Sequence, residues 1–151
     1  MMEPALAYLH YLSIIGVGAC LAAEFYLCTP DLQPPYVRTL ARVDLMYLIA
    51  AIAVLATGFG RFFASPKGMP FYLHNPVFYI KLALFVAVGL VSIAPTLQFL
   101  RWHRALKSGK ERILNGRDIA SARRYITLEL ALFAFIPLAA VLMARGIGIQ
   151  G

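Results

Sequence analysis

Charge is scarce in this chain. Only 14% of its 151 residues are charged, against about 25% in ordinary soluble domains, and 61% are hydrophobic, against about 45–50%. That balance excludes a water-soluble enzyme, a disordered tail and a nucleic-acid module. Cysteine is nearly absent. Cys20 and Cys28 share one apolar stretch and lie too far apart along a helix to bond each other. They read as buried inert thiols, and no disulfide framework or cysteine-rich metal site can be built from them. Acids are few, seven against 14 Lys and Arg, which leaves a net charge of +7. No basic segment precedes the first apolar stretch, which opens Met1-Met2-Glu3-Pro4 and so reads as a retained helix, not a cleaved signal. Dinucleotide, P-loop, zinc-protease and nucleophile-elbow motifs are all missing.

What the chain has instead is four apolar stretches of about 20 residues, each long enough for a hydrocarbon core of roughly 30 Å. Backbone polar groups must be satisfied internally in lipid, so these are helices. The sequence therefore predicts an all-α, four-transmembrane-helix antiparallel bundle forming one membrane domain over 1–151. The spans are expected at about 4–28, 44–63, 76–101 and 124–144, with a basic linker at about 102–123. Thr29-Pro30-Asp31, Ser65-Pro66-Lys67-Gly68, Asn75-Pro76 and Ser108-Gly109 supply the breaks, Pro34-Pro35 an extended loop, and Pro137 an expected kink.

The cations sort by side. Arg38 and Arg42 flank the first loop, and Arg101, Arg104, Lys107, Lys110, Arg112, Arg117, Arg123 and Arg124 belong to the linker on the same side. Arg61, Lys67, Lys81 and Arg145 belong to the other. The positive-inside rule then puts the basic loops in the cytoplasm and both termini outside, in a bacterial inner membrane. The linker reads as a topology signal resting on anionic headgroups. Without aromatic platforms around it, nucleic acid is not its partner.

Ionisable residues at membrane depth are expensive and mark function by default. His10 and Lys81 enter from the outer side of spans one and three, each roughly 8–9 Å below the start of its helix. Arg61 closes span two in the same leaflet. Of the acids, only Glu3 belongs to this half. The outer half thus carries a cation excess, which snorkelling, a neutral Lys81 or an anionic ligand could resolve. Glu24, Asp44 and Glu129 lie at the inner ends beside Arg42, Arg123 and Arg124 and read as helix-end ion pairs. Lys81 and Ser92 share a helix face, His10, Ser13, Val17, Cys20 and Glu24 form a stripe, and Gly16, Ala19 and Ala23 form a small-residue edge. His74 reads as interfacial, and His103 with Trp102 as part of an inner aromatic and basic belt. A bis-histidine haem across the bundle is excluded, since His10 has no histidine at equal depth on another helix. An iron at His10 would have an open sixth position or take Lys81 or His74.

The runs Ala41-Arg42-Val43-Asp44-Leu45-Met46-Tyr47, Gly58-Phe59-Gly60-Arg61, Leu73-His74-Asn75-Pro76 and Phe99-Leu100-Arg101-Trp102 resemble a family of uncharacterised bacterial four-helix membrane proteins. More distantly, the architecture is similar to the HemJ-type protoporphyrinogen oxidases, which carry a histidine early in helix one and a lysine early in helix three. His10 in Leu9-His10-Tyr11-Leu12 and Lys81 in Tyr79-Ile80-Lys81-Leu82 fall on those positions. Tyr79 stands where that family usually has a second histidine. The resemblance implies a haem b or related tetrapyrrole at His10 and Lys81, with both residues serving activity and His10 ligating the metal. Electrons would then pass towards quinone or another acceptor. Beside it, the outer cations acquire a use: Arg61 or Lys67 would receive propionates, with His74 and Ser92 completing the cofactor surroundings. The alternatives are a non-enzymatic membrane module that self-associates or binds a partner, and a proton or ion pathway through His10, Lys81, Glu24 and Glu129.

Overall fold

The computed structural model describes residues 2–64, 68–110 and 114–145. Five helices follow one another: α1 (Met2–Leu27), α2 (Pro34–Ala64), α3 (Gly68–Leu73), α4 (Pro76–Lys107) and α5 (Gly116–Ala144). No strand occurs among the described residues. All four long helices are long and apolar enough to cross a membrane. α1 packs along α2 and α4 along α5, and α2–α4 and α1–α5 contacts close the ring. Side chains such as Ile15, Ile49, Leu90 and Leu138 point outward, each more than half exposed. In a bundle this apolar outside that surface faces lipid.

The helices run past the expected spans. α2 starts at Pro34, whose missing N–H costs nothing in a first turn, so Pro34-Pro35 opens a helix where an extended loop was expected. Most of the expected linker is helical too: α4 continues to Lys107 and α5 begins at Gly116. The cause is a buried stripe at helical spacing, Phe99, Trp102 and Ala105 facing Ile119, Ala122 and Ile126, which persists beneath the exposed arginines. Trp102 is wholly buried in this core with Phe99, Leu40 and Val37, so it does not belong to an interfacial belt. The helix α5 continues through Pro137.

The breaks work through identifiable hydrogen bonds. Asn75 caps α4, accepting from the Val77 N–H at 2.9 Å, and Asn115 caps α5, accepting from the Arg117 N–H at 3.0 Å. Past Ser108, Gly109 takes φ 76°, and the Lys110 and Gly109 N–H groups return to the Ala105 and Leu106 carbonyls at 3.0 and 3.1 Å. This left-handed stop needs glycine. Of the small-residue edge of α1, Gly16 faces Ala50 of α2, whereas Ala19 is exposed. Cys20 and Cys28 are free thiols. Burial pushes the Cys28 thiol up to about 11, with Arg123 opposing and Glu24 adding to the rise, which agrees with an inert, structural role.

Candidate functional site

Two polar layers occupy opposite ends of the bundle. The first gathers around His10, whose side chain is 9% exposed. Its Nδ1 lies 3.0 Å from the Thr57 hydroxyl. That hydroxyl donates its one proton to the Ala53 carbonyl at 2.6 Å, so towards His10 its oxygen acts as acceptor. The hydrogen-bond pattern is met by the neutral tautomer protonated on Nδ1, which has its lone pair on Nε2. An acceptor behind one ring nitrogen that fixes the other for ligation is the usual arrangement behind metal-bound histidines. Gly58 makes room for the ring: a Cβ there would lie 3.3 Å from Cε1. Gly60 similarly admits Leu6.

Lys81 and Arg61 both lie within electrostatic range of this ring, and of each other. Helices α1, α2 and α4 thus bring His10, Arg61 and Lys81 together. Arg61 has a partial counter-ion, its Nη2 standing 4.0 Å from Glu3 Oε1, and its guanidinium lies 5.5 Å from the centre of the Tyr11 ring. A half-exposed pair at that distance stabilises little. The Arg61 Nε is buried without a hydrogen-bond partner. Thr57, the residue that orients His10, escaped the sequence reading, although it directly precedes Gly58.

The remaining candidates stand apart. Lys67 lies outside the described residues. His74 is exposed and donates Nδ1–H to the Pro70 carbonyl at 2.8 Å, which ties it to α3. Ser92 is eleven residues beyond Lys81, about 16 Å along α4, and donates to the Gly89 carbonyl at 2.8 Å. It belongs with the second layer, where it faces Tyr47.

That second layer holds Glu24, Asp44 and Glu129, which are 2%, 6% and 0% exposed. Asp44 Oδ1 accepts from the Thr96 hydroxyl at 2.7 Å. Glu24 Oε1 is buried without a hydrogen-bond partner, and Glu129 faces the Tyr47 phenol. The expected helix-end ion pairs do not form. Arg42 and Arg124 are exposed, and Arg123 donates from Nη1 to the Phe25 and Cys28 carbonyls, both at 2.9 Å. Its guanidinium also stacks 3.9 Å from the Phe25 ring centre. Arginine here serves the carbonyls at the end of α1, which have no partner within the helix. Among the described residues the one ion pair is Arg61–Glu3.

A cleft of about 320 Å³ lies between α2 and α4, and none of the three carboxylates lines it. Tyr47, Ser92 and Thr96 are its polar walls, Phe85 and Phe133 its aromatic ones; His10 and Lys81 do not line it. No curated protein and no solved structure matches the chain. Residues 2–148 match the family described as Predicted membrane protein (DUF2214), and the chain belongs to that family.

Proposed function

We propose that this chain is a tetrapyrrole-binding membrane protein of HemJ-like type, with His10 Nε2 as the axial ligand of a b-type haem and Lys81 and Arg61 as the partners of its carboxylates. The observation that carries the reading is the His10–Thr57–Ala53 chain of hydrogen bonds, which suits a ring protonated on Nδ1 with Nε2 open to a ligand. The donor set fits the group. An imidazole nitrogen is a regular haem ligand, and two cations short of acids, one with a buried orphan Nε, favour an anionic occupant. Bound there, haem would supply one-electron oxidoreduction, with porphyrinogen or quinone as the redox partner of the same reading. The chain's own part is to orient the imidazole through Thr57, to leave room for it at Gly58, and to offset carboxylate charge with Lys81 and Arg61.

The membrane orientation belongs to the same proposal. The excess of arginine and lysine at the acid-layer end supports a cytoplasmic position for that end in a bacterial inner membrane, with both termini on the other side. The test is optical. Protein purified from membranes in mild detergent should show a Soret band that shifts on dithionite reduction. His10→Ala should abolish the band, Lys81→Ala should shift it, and His103→Ala should leave it unchanged. A preparation that stays colourless after haemin addition overturns the reading.

A further inference from the structure

A groove of about 450 Å³ opens at the end of the bundle away from His10, between the first part of α5 and the connection from α1 to α2. Ile119, Ala120, Arg123, Arg124 and Thr127 recur at helical spacing along one face of α5, and Pro30 flanks them from the connection. Two arginines line the groove and no acid does. Asp31, Asp118 and Glu129, the acids nearest to it in sequence, lie outside the lining.

The two cations are held differently. Arg123 is preset: its Nη1 donates to the Phe25 and Cys28 carbonyls, and its plane lies over the Phe25 ring. Its Nε and Nη2 take part in neither bond. A guanidinium fixed in this way loses little further freedom on meeting an anion. Arg124 is exposed and brings a second planar fork to the same groove.

The groove also sits at an informative level. α1 ends at Leu27, just before Pro30, and from Tyr125 to Ala144 the only charged residue of α5 is the buried Glu129. In a membrane-spanning bundle this junction of charged and apolar chain falls at the lipid headgroups. Leu128, one turn beyond Arg124, is exposed, so an apolar surface begins directly below the cations.

We infer that this groove binds one anionic glycerophospholipid, its phosphate between Arg123 and Arg124 and its acyl chains along α5 beside Leu128. Arginine forks match phosphate oxygens, and basic pockets at this level of a helix bundle suit anionic headgroups. The volume lies in the range of ligand sites, roughly 300–1,000 Å³. The site is remote from His10 and does not rest on the haem reading.

The experiment is titration of the full chain in mild detergent with phosphatidylglycerol and with phosphatidylcholine of identical acyl chains, bound lipid being counted by native mass spectrometry. One phosphatidylglycerol should be retained in preference to phosphatidylcholine. Arg124→Gln should weaken its binding about fivefold, the scale of one cation beside an anionic lipid. Ala120→Glu, which places an acid at an exposed position in the groove, should weaken it further. Arg104→Gln and Lys107→Gln remove exposed cations of α4 outside the groove and should leave it unchanged. Inorganic phosphate should displace the lipid no more than chloride does at matched ionic strength. Equal affinity for the two lipids overturns the inference, as does unchanged binding in both groove variants. So does an equal loss in the α4 variants, or selective displacement by phosphate.

Discussion

The two ends of the bundle solve opposite electrostatic problems. At the His10 end, Lys81 and Arg61 have few acids to answer them, and the packing includes partly buried aromatic rings, Phe62 stacked on Phe78 at 5.8 Å with Tyr72 against both. At the other end, Glu24, Asp44 and Glu129 lack cations, while Phe99, Trp102, Leu40 and Ile126 are fully buried around and below them. The difference teaches where stability and ligand chemistry reside. The acid end is held by a dense core and can carry unpaired polar groups within a rigid frame. The His10 end joins α1 to α2 by close approach at Gly58 and Gly60, and α2 to α4 through the Phe62–Phe78 stack.

The largest effect should come from hollowing the dense end. Trp102→Ala removes a fully buried indole and should cost about 3–5 kcal/mol in unfolding free energy, read from denaturation in detergent. A loss as small as that of an exposed residue would erase the contrast between the ends. Arg123→Ala comes next. It leaves the Phe25 and Cys28 carbonyls without their charged donor and should cost about 2–3 kcal/mol, with Arg123→Lys recovering only part of the loss because one ammonium lacks the planar fork. At the other end, Thr57→Val keeps shape but removes the acceptor behind His10. Haem affinity should fall about 10–100-fold in a haemin titration, with little change in unfolding. The smallest effect belongs to Asn75→Ala, which removes the cap of α4 and should cost about 1 kcal/mol by the same unfolding measurement.

Much of the architecture was legible in the residues. Four apolar stretches of spanning length, the Asn75-Pro76 start and the Ser108-Gly109 stop all correspond to elements in the fold, because each rests on local chemistry that few tertiary contacts can override. The shared level of His10 and Lys81 was legible too, since depth along a helix follows from counting residues. Helix ends were harder to read. Hydropathy averages over all faces of a helix, so the arginines around Trp102 and Ile119 masked the buried stripe beneath them. Ion pairing was harder still. Arg123 turns to the Phe25 and Cys28 carbonyls, a choice set by side-chain direction, on which sequence spacing is silent. Ser92 shares the azimuth of Lys81, but one face of a 32-residue helix serves two separate layers.

The contrast between the ends is tested most directly by haemin titration of two single variants in nanodiscs, followed at the Soret band. The account expects His10→Ala to lose the band while Glu129→Gln retains it at the affinity of the unaltered chain. A band that survives in His10→Ala, or that disappears in Glu129→Gln while that variant remains folded, would contradict it.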